Sequence, residues 1–496
     1  MDAKTMRRSF FSRMMFGLCA ATVLGGPATG GIAHAADRFI DDVTIPDAYP
    51  PPPPETQALA PFNLQETGTF QDPSTEAYLR GIVNRLLVGW KGPVPDIPIF
   101  LVPSMSFASE VSAGGVMFIY AGTLDYMRKT PDVQTEDMIA FVLAHELSHI
   151  LLGHTRRRTD TQDTTQRVLG GIDLASSIVS RFNIGGMGHV AKMALLSDFG
   201  SNLLSAQTAF PAWSRKQEKA ADLMAIDLMA QAGYSLDAAS TMLGLIAQDE
   251  EQINAQKAKS QKSLIEAGPA QSANGQQGFG IKMNAGSWLM QKFDALGGSH
   301  PSASARQERV ARYIAHTYGD VMNPEHRVPF QKFINTPHMT TMLRDVQSLN
   351  EMSDQIRAKN FRTVVAEQSH LREPLASSQL SLFYGAIAND AVHHPSPAAT
   401  NMVARAADRP DVTRQIVYLE IGSLEDQGKN DQALAYMAKM QDAFQDASFY
   451  IARIHLLRKM NRTNDASLLA MECVGHGDTA LRDACVAASK GEDGGG

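Results

Sequence analysis

Cysteine is nearly absent, with three in 496 residues. That scarcity excludes a disulfide-dense scaffold and a cysteine-rich metal protein. Positive charge is not in excess, since 45 Lys and Arg face 52 Asp and Glu. A basic nucleic-acid binder is therefore excluded. No apolar run approaches the ~18 uninterrupted residues of a spanning helix, which argues against a multi-span membrane protein. Gly and Pro, at 38 and 24, are too few for a fibrous repeat. There is no Gly-rich phosphate loop, no serine nucleophile elbow and no heptad repeat. What is present is a 44% hydrophobic, 20% charged chain, rich enough in apolar residues to bury real cores. Its length suggests two or three domains, at roughly 100–200 residues each.

Residues 1–35 read as a cleavable signal peptide. Lys4, Arg7, Arg8 and Arg13 form a basic start, residues 14–24 a short apolar stretch, and Ala33-His34-Ala35 a small-x-small cleavage site. Arg7-Arg8-Ser9-Phe10 resembles a twin-arginine signal and also fits an ordinary Sec signal. Cleavage removes Cys19 and leaves Cys473 and Cys485 as a disulfide candidate near the C-terminus.

Residues 36–63 are Pro-rich, with an unbroken run from Pro50 to Pro54, and are expected to be a disordered, extended leader. A helix is expected from Asp72-Pro73-Ser74, with Tyr78, Ile82, Leu86 and Leu87 on one face. Residues 97–102 and 116–120 read as short strands. A strong helix starts after Thr135, a candidate N-cap followed by Glu136 and Asp137. Residues 166–210 read as short helices near a cleft, residues 213–232 as a second strong helix, and residues 252–286 as a mobile loop. Beyond residue 330 the pattern is helical throughout. Ala366, Ala399, Ala433 and Ala466 recur at 33, 34 and 33 residues, near the tetratricopeptide period.

The chemistry centres on His145-Glu146-Leu147-Ser148-His149. Residues four apart share a helix face, so both imidazoles can meet one metal ion. Glu146 lies beside the first ligand and can reach water there; zinc lowers the pKa of such water toward ~7, and the carboxylate takes its proton. A catalytic zinc usually has three protein ligands and an open position. His154, nine residues after His145, falls about half a turn away if the helix continues. The third ligand is therefore sought on another helix. In Glu218-Lys219-Ala220-Ala221-Asp222 the two carboxylates share a face, giving Glu218 as ligand and Asp222 as a hydrogen-bond partner of a ligand imidazole or of water, and a candidate proton donor.

Residues 214–222, Ser-Arg-Lys-Gln-Glu-Lys-Ala-Ala-Asp, resemble the ligand helix of the zinc endopeptidases related to the CAAX prenyl protease and the heat-shock membrane protease. Ala113-Gly114-Gly115-Val116 resembles their Gly-Gly strand. The usual Asn-Ala and Pro are missing there, with Ser109 and Ala113 nearby. Gly233-Tyr234, and Ser299-His300-Pro301 followed by Arg306, fit the family as well. The resemblance implies one Zn²⁺ per chain on His145, His149 and Glu218, with Glu146 as general base. His300 is then a residue that stabilises the oxyanion or latches the zinc; otherwise it is only a turn-forming residue. Arg306 is a loop-holding or transition-state residue.

The expected fold is α+β. A mainly helical gluzincin-like metalloprotease domain with a small β-sheet spans 64–320, and an all-α tetratricopeptide-like domain spans 330–490. Strand 116–120 is the candidate edge for pairing with an extended substrate. An exported member with such helices resembles the periplasmic beta-barrel assembly-enhancing proteases. That implies a periplasmic location, unfolded or misassembled envelope proteins as substrates, and quality control of outer-membrane proteins. Contact with the outer-membrane assembly machinery and peripheral membrane contact are further expectations, and nucleic acid is not expected as a partner. The competing reading is a chaperone or scaffold acting through the helical half, with a latched or weakly active zinc site.

Overall fold

Asp72 opens helix α1 (Pro73–Leu86) by accepting the backbone N–H of Thr75, and Pro73 sits in the first turn, where its missing N–H costs nothing. Leu79, Ile82, Val83 and Leu86 form its buried face. The computed structural model describes residues 37–55, 58–59, 68–112, 114–155, 213–248, 302–319, 323–444, 446–476 and 479–491. Residues 1–35, expected as a signal peptide, residues 166–210 and 252–286, expected as short helices and a loop, and His300 lie outside the described residues.

Three strands follow α1: β1 (Ile99–Val102), β2 (Ser109–Val111) and β3 (Met117–Tyr120). Their order is β1-β3-β2, with β1 parallel and β2 antiparallel to β3. This corrects one expectation, because β3 is the central strand and cannot be the edge. All four of its residues are buried, as befits a continuous apolar run paired on both sides. The outer strands are β1 and β2, and the short Ser-Glu-Val sequence of β2 carries little β-rich signal. Gly115 makes the connection between β2 and β3 at φ +75°, a backbone conformation that favours glycine, and its N–H bonds back to the Ser112 carbonyl.

Helix α2 (Ala121–Lys129) leads to α3 (Glu136–Leu151), which Thr135 caps and which is buried on every side. A helix apolar all round belongs in the middle of a protein. Its acidic first turn is neutralised in place. Glu136 accepts from Tyr78, Arg85 and Tyr234, and Asp137 accepts from the Ser235 and His326 backbone N–H groups. Helix α4 (Arg215–Gln231) packs against α3 and opens with a capping box between Ser214 and Gln217. Ala221 and Ala225 are fully buried, whereas Ala220 is only half-buried. Helix α5 (Ala303–Thr317) packs on α4.

The leader departs from the disordered segment expected. Phe39–Asp42 form a 3-10 turn. The Phe39 N–H donates to the Tyr313 hydroxyl at 2.7 Å, and the Ile40 N–H donates to Asp227 Oδ2 at 2.7 Å. Tyr49 donates to the Leu151 carbonyl at the end of α3. Ala58 and Leu59 are buried in a cluster with Phe100, Phe118 and Tyr120 of the sheet. Proline content predicts a leader without regular structure, but its apolar residues are sufficient to dock it.

From Arg327 onward the chain is helical. Helices α6 (Arg327–Ile334), α7 (Pro337–Arg357), α8 (Phe361–His370), α9 (Gln379–His393), α10 (Pro397–Ala407), α11 (Arg414–Asp426), α12 (Asn430–Phe444), α13 (Ser448–Lys459), α14 (Thr463–His476) and α15 (Thr479–Lys490) follow one another. Consecutive helices pack together from α7 to α15. Ala399, Ala433 and Ala466 are buried near the starts of α10, α12 and α14. Ala366 is exposed, and Val364 takes the equivalent buried place in α8, so the first unit of the alanine series was assigned two residues late. One buried apolar cluster holds residues of both halves, Leu147 and Met229 with Leu343 and Val417. A second surrounds Cys473 and Cys485, which are disulfide-bonded between α14 and α15. Among the described residues no helix is long and apolar enough to cross a membrane.

Candidate metal centre

His145 and His149 lie one turn apart on α3 and face the same side, with their Nε2 atoms 3.3 Å apart. Glu218, in the first turn of α4, brings Oε2 to 3.6 Å from His145 Nε2 and Oε1 to 3.5 Å from His149 Nε2. Among the described residues these three form the cluster whose donor atoms converge. Tetrahedral zinc, with bonds of ~2.0–2.1 Å, needs its ligands about 3.3–3.4 Å apart, so these separations already fit the ion. The donor chemistry fits as well. His145 Nδ1 lies 3.2 Å from Asp222 Oδ1, and a carboxylate can only accept. The proton therefore sits on Nδ1 in the neutral ring, leaving the Nε2 lone pair turned toward His149 and Glu218. Two imidazole nitrogens and a carboxylate gathered in a buried space favour a cation between them.

Asp222, one turn beyond Glu218, is fully buried and holds a network rather than the metal. Arg306 of α5 grips it bidentately, Nη2 donating to Oδ1 at 2.7 Å and Nε to Oδ2 at 3.1 Å, and Arg309 approaches at 3.5 Å. Burial opposes the charged carboxylate, but the guanidinium of Arg306 and the His145 ring outweigh it and hold Asp222 well below the usual carboxylate range. A carboxylate held ionised by Arg306 fits the expected role of Asp222 as hydrogen-bond partner of the His145 ring. The same carboxylates, Asp222 first and then Glu218, raise Arg306 against its own burial. Burial and Arg306 push His145 down, yet Asp222 and Glu218 prevail and raise it. With Nε and Nη2 committed to Asp222, Arg306 is a positioning residue.

Glu146 meets the sheet, where Ser109 Oγ of β2 donates to its Oε1 at 2.8 Å. The base is thereby aimed by the edge strand. The sequence marks Ser109 only by its nearness to a motif; its partner is 37 residues away and is set by packing. His154 and Trp213 were also missed as members of the site. Helix α3 ends at Leu151, and Gly153, at φ +64°, turns the chain back so that the His154 N–H bonds to the His149 carbonyl. Its ring then sits behind His149, Nδ1 to Nδ1 at 3.0 Å, and Trp213 stacks on His149 with centroids 4.4 Å apart.

An all-buried helix carrying two metal-facing histidines and a base, an acidic helix completing the donor set, and a strand edge beside them define a metallopeptidase. Comparison with known proteins agrees. Residues 73–314 match the model of Peptidase family M48. The metalloprotease LoiP of Escherichia coli (strain K12) is 26% identical over 247 residues, covering 48% of this chain and 86% of that protein.

Proposed function

We propose that the chain is an exported zinc metalloendopeptidase that binds one Zn²⁺ and cleaves misfolded or unassembled envelope proteins in the periplasm, in outer-membrane protein quality control. The observation that carries the peptidase reading is the placement of Glu146 between the convergent donors of His145, His149 and Glu218 and the edge strand β2. His145, His149 and Glu218 would hold the zinc ion, which would supply a positive charge to acidify water and polarise the carbonyl of the bond to be cut. Glu146 accepts the proton at its carboxylate and returns it to the leaving amine. Ser109 fixes the carboxylate, Asp222 fixes the His145 ring, and Arg306 keeps Asp222 in place. Among the described residues β2 has no strand on its outer side, so an extended substrate can pair there through backbone hydrogen bonds. Backbone pairing reads shape more than sequence, which suits unfolded clients. The periplasmic part of the proposal is supported by the signal-like residues 1–35, and the helical series after Arg327 offers a surface for a protein partner.

The test is zinc content and cleavage of a denatured protein by the purified chain beside Glu146→Gln. About one zinc per chain in both, with cleavage in the parent alone, supports the reading. Zinc without cleavage in either favours the scaffold alternative, and no zinc in metal-replete protein overturns the proposal. N-terminal sequencing of the exported protein at Ala36 and its recovery in a periplasmic fraction test the location.

A further inference from the structure

The two imidazoles of the centre are held from behind by different chemistry. His145 has a carboxylate at its Nδ1, whereas His149 has the ring of His154, 3.0 Å away, nitrogen to nitrogen. One of those two nitrogens must donate and the other accept. If His149 accepted there, its proton would sit on Nε2, pointed at His145 Nε2 only 3.3 Å away, and its metal-facing lone pair would be lost. If His149 donates, its Nε2 is free of a proton and available to a cation.

We propose that His154 is a positioning residue of the metal centre, the acceptor that fixes the tautomer and ring orientation of His149. The inference rests on the metallopeptidase reading above. The local fold is built for this contact. Gly153 reverses the chain, the backbone bond from His154 to His149 sets the approach, and Trp213 covers the His149 ring at an interplanar angle of 24°. His149 is fully buried and His154 nearly so. Charge explains why an imidazole stands where a carboxylate stands behind His145. Glu146, Glu218 and Asp222 already place three carboxylates here, with Arg306 as their buried cation. A fourth carboxylate would add like-charge repulsion, whereas a neutral acceptor orients the ring without it.

The experiment titrates the full chain with Zn²⁺ against a chromophoric chelator, comparing the parent with His154→Leu and His154→Asn. Asparagine places a carbonyl oxygen near the former Nδ1 position, whereas leucine fills the space without an acceptor. Loss of an outer partner of a metal-bound histidine typically weakens affinity 10–100-fold, so His154→Leu should bind Zn²⁺ about that much less tightly. His154→Asn should recover most of the loss. The visible spectrum of the Co²⁺-loaded protein should shift in His154→Leu and return toward the parent in His154→Asn. Zinc affinity of His154→Leu within about twofold of the parent overturns the inference, and so does an asparagine variant as weak as the leucine one. If His154→Leu does not fold, His154→Ala replaces it in the same comparison. A parent that binds no Zn²⁺ overturns both this inference and the proposed function; a zinc-binding parent with an unaffected leucine variant overturns this one alone.

Discussion

Replacing Arg306 with methionine removes a guanidinium that is buried between α4 and α5 and leaves the carboxylates of Asp222 and Glu218 with less compensation. Breaking a buried, hydrogen-bonded ion pair from one side typically costs about 3–5 kcal/mol. Arg309 stands 3.5 Å from Asp222 and is a quarter exposed, so it recovers part of that cost. The expected loss for metal-free protein is therefore at the low end, about 3 kcal/mol. Equilibrium denaturation should show it as an earlier transition. Asp222→Asn removes the charge that Arg306 neutralises, so the double variant should cost about 2 kcal/mol less than the sum of the single ones. The acid side has a definite sign. Arg306 and His145 depress Asp222 in the folded protein, so its contribution is complete above the unfolded carboxylate range and fades only as pH falls through the lowered value. The Asp222 part of the difference between parent and Arg306→Met should thus be flat from about pH 5 upward, while His145, which Arg306 pushes down, adds a part that grows as pH rises and that imidazole loses its proton. A loss below about 1 kcal/mol, or additivity of the two substitutions within about 0.5 kcal/mol, would refute the argument that this pair holds the centre together.

Other outcomes follow from the same geometry. Glu146→Gln should lower kcat by about 10²–10⁴-fold with zinc content unchanged, read by peptide cleavage and metal analysis. Ser109→Ala removes one hydrogen bond to that base, so kcat/KM should fall by roughly 2- to 12-fold, for about 0.5–1.5 kcal/mol, again without loss of metal. Chelation should lower the thermal midpoint of the parent, whereas His149→Ala should show no such metal-dependent difference, checked by thermal unfolding with and without chelator. Gly122→Ala should destabilise by about 1–3 kcal/mol, because a Cβ there would meet the Met105 backbone at 2.2 Å.

Much of the centre was legible because helix periodicity is a local rule. His145 and His149, and Glu218 and Asp222, are each four residues apart, and that spacing places each pair on one face before anything is known of the fold. The caps were equally plain, with Thr135 before two acids and Pro73 after Asp72. What escaped was set by long-range packing. The Ser-Glu-Val of β2 has no alternation long enough to announce a strand, so the edge was assigned to the more apolar β3, which the pairing makes central. Ser109 gains its meaning only where β2 crosses α3. His154 was set aside as a metal ligand on the premise of a continuing helix, and the positive φ of Gly153 breaks that premise. Proline counting likewise described the leader's backbone but not Ile40, Tyr49 and Leu59, which give it somewhere to dock.

That docking has a consequence in time. Ile40 is made early, yet the carboxylate that receives it, on Asp227, follows 187 residues later, and the Tyr313 hydroxyl that receives Phe39 follows 274 residues later. At the ~5–20 residues per second of synthesis, the first of these waits lasts roughly 10–40 s. During that interval Phe39 and Ile40 lack the groups that will finally hold them, although the Tyr49 and Leu59 contacts further along the leader can already form. Phe39 and Ile40 are thus among the last residues of the peptidase half to settle.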